Sequence, residues 1–358
     1  MKVLNFVSRN FYPDCKGGCE KVFYELYKKA EKEFKIRIIS GYTNNDVFPK
    51  DSSVFKHLKT KNALIRYIYY TWNMSLRNLF NKCDLVHANN IECIRLSKTP
   101  FVLTIHHVGH FIDPNIRKQT LINKFLGRVL VWQANRADKV ITVSNGTMND
   151  LVKMGVKKEK IKVIPNGVDL EKFKPYARSK HNKFIISHVS RISPEKGQDF
   201  LIKAFNTLPK NVQKMCELRI IGYVSDEEYY NNLEKGDGIK YYINIPEKEL
   251  PRLIGESDLV VFPTMMSEGF GLVVLEGMAC GVPVLASDQP AIKEAGGEVC
   301  QYFKQGDIKD FIEKIMKLYN NKKLREDLSR KGLVWVKKFS WVKVYEEHKK
   351  LYAELLKK

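Results

Sequence analysis

Two carboxylates stand eight residues apart in the stretch Asp258–Ser287, which reads DLVVFPTMMSEGFGLVVLEGMACGVPVLAS. They are Glu268 and Glu276, with Gly269 and Gly271 and an apolar run between them. Asp258–Pro263 has the pattern of a buried strand, and Leu272–Cys280 is long enough for a short helix with one interior acid. Gly281 stops that helix, and Val282–Ala286 begins another strand. Glycines at a helix entrance leave backbone N–H groups pointing outward, and such groups suit an anion. The stretch is therefore read as an anion-binding segment with a carboxylate at each end.

A second segment, Arg191–Gly197 (RISPEKG), places Arg191 and Lys196 in one loop after an apolar run. Arginine can grip a phosphate with two N–H groups, and lysine adds a point charge. The alternative is a solvated basic loop. For Glu276 the alternative is a buried acid paired with Arg or Lys. Histidines cluster near Asp84–Ala88 (DLVHA) and Phe101–Ile105 (FVLTI): His87 lies within the first run, and His106, His107 and His110 follow the second. Ligands of open parallel sheets bind beyond the carboxyl ends of strands, so these histidines read as hydrogen-bonding groups of a cleft. As metal ligands they lack a partner set. His181 and His188 carry no functional signal.

The elements that must position these groups alternate strand and helix twice over. In the first half, strands are expected at Lys2–Ser8, Lys35–Ser40, Asp84–Ala88, Phe101–Ile105, Lys139–Val143 and Ile161–Ile164. The loop Asn10–Gly18 ends in Gly17-Gly18 and opens a helix with Val22, Phe23, Leu26, Tyr27 and Ala30 on one face. The glycine pair is either a tight turn or a close approach to ligand. Asn115–Ala137 reads as a long helix, and Ser144 caps a further one toward Met154. The turn Pro165-Asn166-Gly167 leads out of the first domain, and the polar, proline-containing stretch Lys174–Lys183 is the linker. The second half continues with strands at Phe184–Val189, Leu218–Gly222, Ile239–Ile243 and Glu298–Tyr302. Its helices are expected at Gln198–Leu208, Asp226–Lys235, Glu247–Glu256, Ile308–Tyr319, Lys322–Lys338 and Trp341–Leu356.

Thr60–Phe80 mixes Lys61, Arg66 and Arg77 with aromatic and aliphatic residues at helical spacing. The plainer reading is a core helix with its basic residues on the solvated side; the other is a surface helix lying on a membrane.

Composition bounds the partners. With 358 residues and 44% hydrophobic content, two cored domains are expected. The net charge of +21 favours polyanions: nucleic acid, phosphorylated small molecules or an anionic membrane face. Seven scattered cysteines, an odd number, argue against a disulfide framework. Cys15 and Cys19 have metal-like spacing without a second Cys or His pair, so no metal is expected there. No leader-like segment and no run long enough to span a membrane is visible, which gives a cytoplasmic expectation.

Several motifs in order resemble the retaining GT-B glycosyltransferases of the large family-4 group. They are Gly17-Gly18, DLVHA, TIH at Thr104–His106, VIPNGVD at Val163–Asp169, RISPEKG, SEGFGLVVLE, GVPVLAS and FSW at Phe339–Trp341. The resemblance implies an α/β fold of class GT-B, two Rossmann-like β/α/β domains facing a central cleft. They would be an acceptor-side domain at 1–174, on which the helix 340–358 packs back, and a nucleotide-sugar domain at 175–339. It implies a retaining, metal-independent transferase that moves a sugar from a nucleoside diphosphate sugar, UDP by default, to a hydroxyl of a glycan or lipid-linked acceptor. The nucleotide sugar is a substrate, and no cofactor is expected. The implied catalytic residues are His106, Arg191, Lys196 and Glu268. Arg191 and Lys196 hold the departing diphosphate, Glu268 faces the donor sugar, and His106 has a positioning and charge-stabilising role. The implied donor-binding residues are Gly17, Gly18, Asn166, Gly269, Phe270, Gly271, Leu272 and Glu276, with Glu276 on the ribose hydroxyls. Two departures stand out: Ser225 occurs where many relatives have a second glycine after Gly222, and YYINIPEKEL replaces a glycine-containing segment. Both bear on base recognition. The rivals are a nucleotide-sugar 2-epimerase of the same fold, whose acid/base carboxylates are not found, and a non-catalytic nucleic-acid-binding protein, for which no binding module is found. Nucleic acid is therefore not an expected partner, whereas an anionic membrane surface at the inner face is left open as one.

Overall fold

Leu85–Asn89, Phe101–Ile105 and Phe184–Val189 are buried along their whole length. Strands of this kind need cover on both faces, which is the condition of a parallel sheet flanked by helices. The computed structural model describes residues 1–12, 17–41, 49, 51–56, 58, 60, 62–112, 121–176 and 182–357.

The chain forms two units, one of Met1–Gly167 with Trp341–Lys358, the other of Val168–Ser340. The first unit runs β1 (Val3–Ser8), α1 (Gly18–Ala30), β2 (Lys35–Gly41), β3 (Ser53–Phe55), α2 (Ala63–Phe80), β4 (Leu85–Asn89), β5 (Phe101–Ile105), α3 (Gly109–Ile112), α4 (Leu121–Arg136), β6 (Lys139–Thr142), α5 (Asn145–Met154) and β7 (Ile161–Val163). The second runs β8 (Phe184–Val189), α6 (Gln198–Thr207), α7 (Lys210–Met215), β9 (Cys216–Gly222), α8 (Glu227–Asn232), β10 (Ile239–Ile243), α9 (Leu250–Gly255), β11 (Leu259–Phe262), α10 (Leu272–Ala279), β12 (Val284–Ser287), α11 (Pro290–Gly296), β13 (Gln301–Phe303), α12 (Ile308–Asn320) and α13 (Lys322–Trp335). The last helix, α14 (Trp341–Leu356), belongs to the first unit.

Among the described residues, the first sheet has seven strands in the order β3-β2-β1-β4-β5-β6-β7, and the second has six in the order β10-β9-β8-β11-β12-β13. All recorded pairings are parallel. In each sheet the order reverses beside the first strand, where β1 meets β4 and β8 meets β11. This is the switch point at which doubly wound sheets bind ligands.

The first sheet is covered differently on its two faces. Tyr70 and Met74 of α2, Leu130 and Ala134 of α4 and Leu151 of α5 share one core with Val7, Val86 and Leu103. On the other face Phe23 of α1 stacks on Phe6 at 5.0 Å between ring centres. There, Tyr352 of α14 bonds His87 of β4, with 2.7 Å between its hydroxyl and Nδ1. Thr104 Oγ1 lies 2.6 Å from the other ring nitrogen of His87. The second core joins β8, β9 and β11 to Phe200, Leu201 and Phe205 of α6 and Phe311 and Ile315 of α12.

Several expectations are corrected. The Glu247–Glu256 helix is a 3-10 turn at Glu247–Glu249 followed by α9, because Pro251 in the first turn of α9 lacks the N–H that a continuous helix would use. Helices α3, α7 and α11 and strand β3 were not anticipated; each is too short for a periodic pattern to stand out. Helix α4 is described from Leu121, and the expected start at Asn115 lies outside the described residues, as do Cys15 and His181. The passage between units falls after Gly167, ahead of the stretch 174–183. The Val168 N–H donates to Phe339 O at 2.8 Å and Phe173 N–H to Asp169 O at 2.8 Å, which ties this segment into the second unit.

Candidate functional site

In the second unit, two loops at the carboxyl ends of neighbouring strands are stitched together. The first follows β8. It turns through a 3-10 segment at Pro194–Lys196 into Gly197, whose φ of +73° is left-handed. A Cβ at Gly197 would lie 2.3 Å from the Pro263 carbonyl oxygen, so only glycine fits between this loop and the end of β11. The Met265 N–H donates to Glu195 O at 2.9 Å, and Thr264 Oγ1 lies 3.2 Å from the same carbonyl oxygen.

This stitching brings two expected residues into contact. Lys196 Nζ is ion-paired with Glu268 Oε1, and both side chains are largely buried. Thr264 Oγ1 donates to the same carboxylate oxygen at 2.9 Å. The Glu268 backbone N–H donates to Gln289 Oε1 at 3.0 Å, and Gln289 Nε2 donates to Met266 O at 2.8 Å. Arg191 takes a different partner, Glu195, at 2.5 Å. Its Nε is buried without a hydrogen-bond partner, and the same holds for Ser193 Oγ and Gln198 Oε1 around the same loop. Buried polar atoms in this condition are costly, and several in one loop suit a polar ligand that completes them.

Glu195, Thr264 and Gln289 were missed in the sequence. Gln289 precedes α11 and reaches Glu268 across 21 residues of chain, a contact with no local signature.

Gly269 and Phe270 lie in the loop before α10, and Gly271 is its N-cap, with φ +96° and no side-chain cap. The first-turn N–H groups from Leu272 onward are thus not met by a capping side chain. Phe270 is buried, its ring 5.7 Å from that of Phe339, so the side chain anchors the loop while the backbone remains for other work. Glu276 is buried a little over one turn into α10. Glu247 is near enough to feel it: burial, and then the charge of Glu276, push the Glu247 carboxyl above its ordinary range, against the pull of its ion-pair partner Lys172.

In the first unit, His106 directly follows β5 and is buried. Its Nε2 lies 2.9 Å from Asn89 Oδ1, and Asn89 Nδ2 donates to Ser8 Oγ at 3.2 Å. The bond to a carbonyl-type oxygen makes Nε2 the protonated nitrogen and leaves Nδ1 as acceptor. Burial, with His107 and His348 nearby, pushes its pKa down to about 3. The side chain is therefore a neutral hydrogen-bonding group and brings no positive charge of its own. His106 and Asn166 line one small cavity with Thr104, Trp341 and His348. Gly17 is the extended N-cap of α1, and Gly18 is its first residue. The Glu20 carboxylate lies against Gly17, so the chain's own acid meets the start of this helix. His107 is half-buried, and the side chain of His110 lies outside the described residues. Among the described residues no group of three or more His, Cys, Asp or Glu is placed to hold a metal ion.

The chain is similar to known proteins. Residues 16–172 match the family described as Glycosyltransferase Family 4, and residues 169–335 match Glycosyl transferases group 1. An uncharacterised glycosyltransferase of Methanocaldococcus jannaschii is 29% identical over 99% of both chains. The D-inositol 3-phosphate glycosyltransferase of Paenarthrobacter aurescens is 29% identical over 74% of this chain and 71% of its own. Among solved structures, sucrose-phosphate synthase from Thermosynechococcus elongatus superposes with a TM-score of 0.84 at 18% identity, covering 99% of each chain. HepE from Anabaena, solved with UDP and glucose, gives 0.80 at 19% identity over 99% of this chain and 100% of its own. The two parallel-sheet units are those of the expected GT-B class. With adjoining family matches from residue 16 to residue 335, the chain belongs to the group 1 glycosyltransferases.

Proposed function

We propose that this glycosyltransferase moves a sugar, with retention of configuration, from a nucleoside diphosphate sugar to a hydroxyl of a glycan or lipid-linked acceptor, and that it does so without a metal. The observation that carries the reading is the Lys196–Glu268 ion pair set beside the unpartnered Nε of Arg191. A diphosphate arriving there takes up Arg191 Nε and draws Lys196 from its carboxylate. Glu268, released from Lys196, accepts hydrogen bonds from sugar hydroxyls. The N–H groups at the start of α10 face the same anion, and Glu276 accepts from the ribose hydroxyls.

In the transfer step the bond from the anomeric carbon to the diphosphate oxygen breaks as the bond to the acceptor oxygen forms on the same face. The acceptor proton passes to the departing phosphate oxygen. Arg191 and Lys196 stabilise the charge that develops on the diphosphate. His106, neutral, orients a hydroxyl through Nδ1 and is not needed as the base. The bound UDP of HepE, a structural neighbour, supports uridine as the first nucleotide to try. Burial raises the thiols of Cys93 and Cys280 to about 12, which suits a reducing, cytoplasmic setting. A lipid-linked acceptor would be met at an anionic membrane face.

Thermal shift against UDP, GDP, ADP and their sugars tests the donor, and mass spectrometry with a library of glycan and lipid acceptors tests the product. A specific stabilisation by one nucleotide, followed by a product of unchanged anomeric configuration by NMR, is the expected result. No response to any nucleotide sugar would overturn the reading.

A further inference from the structure

A solvated helix face is ordinarily polar, and α2 breaks this rule. Its buried side carries Tyr70 and Met74, yet its outward side carries Ile65, Ile68, Trp72, Leu79 and Phe80, from 40% exposed for Leu79 to 79% for Phe80. The spacing 65, 68, 72, 79 is that of one helical stripe. The plainer expectation for this helix, basic residues on the solvated side, is thus corrected. Arg66 and Arg77 are half-buried at the flanks, and Arg77 lies over the Phe55 ring at 5.3 Å.

Helix α4 repeats the arrangement, with Phe125 and Trp132 exposed. Gln133 Nε2 of α4 donates to Tyr67 Oη of α2 at 3.0 Å, and both helices cover the same face of the seven-stranded sheet. The residues next to the bonded pair, Ile68 and Trp132, are both exposed. Lys124, Arg128 and Arg136 are exposed on α4, with Arg136 over the Trp132 ring at 5.0 Å.

Charge selects the occupant. Neither α2 nor α4 contains an Asp or Glu, whereas α1 and α14, on the other face of the same sheet, carry Glu20, Glu25, Glu346, Glu347 and Glu354. An apolar, aromatic stripe flanked only by arginine and lysine complements an anionic lipid surface: the rings enter the headgroup layer and the cations meet the phosphates. Two copies of this face would oppose like charges, which disfavours self-association. Among the described residues no helix is long and apolar enough to cross a membrane.

We propose that the outward faces of α2 and α4 dock the protein on an anionic bilayer. The proposal does not depend on the donor reading. It is tested by co-sedimentation of the full chain with phosphatidylcholine vesicles and with vesicles containing about one third phosphatidylglycerol. The expected result is binding to the anionic vesicles only, weakened by salt. A variant carrying Ile68→Ser, Trp72→Ser and Phe125→Ser, and a second carrying Arg128→Ala and Arg136→Ala, should each bind about tenfold or more weakly at unchanged Tm. Equal binding to neutral vesicles, no binding, or wild-type binding by both variants overturns the proposal. So does a Ser variant that turns a dimer into a monomer while vesicle binding persists, which would make the face an interface between copies.

Discussion

Lys196 and Glu268 are ion-paired across 72 residues of chain, each side chain only 14% exposed. On the function proposed above the pair would act as a latch: each charge holds the other until a ligand supplies better partners. Removing one member leaves a nearly buried charge alone, which costs more than the pair contributes.

Lys196→Ala and Glu268→Ala should therefore each lower transfer by roughly 10²–10³-fold while the protein stays folded. Their effects on stability should not add. The double variant should melt above the sum of the singles, with a coupling of about 0.5–3 kcal/mol. Thermal melts of all four proteins check this, and additive losses would dismiss the latch.

Gly197 and Gly271 are both left-handed but not equivalent. At Gly197 an added Cβ meets Pro263 O at 2.3 Å, whereas at Gly271 the nearest atom is Val274 Cγ2 at 3.6 Å. Gly271→Ala should cost about 1–2 kcal/mol of backbone strain. Gly197→Ala adds displacement of the loop carrying Arg191 and Lys196, so nucleotide affinity should fall along with Tm. Calorimetric titration of the nucleotide on both variants separates the two cases.

His106 offers hydrogen bonds and no charge. His106→Gln, which keeps an acceptor and a donor, should retain several-fold more activity than His106→Ala. The wild-type rate should show no ionisation of this residue between pH 5 and 8, because its pKa lies near 3. A pH–rate limb in that range that vanishes in His106→Gln would contradict this.

The buried histidines make the first unit acid-sensitive. Burial pushes His348 down to about 4 and His87 well below its ordinary value. The unfolded chain takes up protons below about pH 6.5, where the folded chain does not. Stability is therefore full above that pH and falls as pH drops toward 4. For His348 the loss is roughly 3 kcal/mol. Melts from pH 7.5 to 4.5 should show the decline, and His348→Gln should flatten it. Tyr352→Phe should cost about 1–3 kcal/mol even at pH 7.5, because His87 Nδ1 loses its partner.

Much of this was legible in the chain. Phe184–Val189 and Phe101–Ile105 are continuous apolar runs bounded by polar residues, and their strands fall on those bounds. Ser144 was read as a cap and accepts from the Thr147 N–H at 3.1 Å. The rest depends on contacts that no local pattern carries. Thr264 and Gln289 matter only because β11 and β12 are neighbours that end beside the loop after β8. The outward face of α2 was hidden for the opposite reason: Ile65, Ile68, Trp72 and Leu79 form the kind of apolar stripe that a helix ordinarily turns toward its sheet.

The placement of α14 has a consequence for biosynthesis. His87 finds its hydroxyl partner at Tyr352, 265 residues later, while Val168–Ser340 forms a unit of uninterrupted chain. On the ribosome the middle of the protein can therefore reach its native state first. The amino-terminal sheet must wait, one face covered only by α1, until the final helix emerges, and it is in that interval that the nascent chain is most exposed to chaperones and to misassembly.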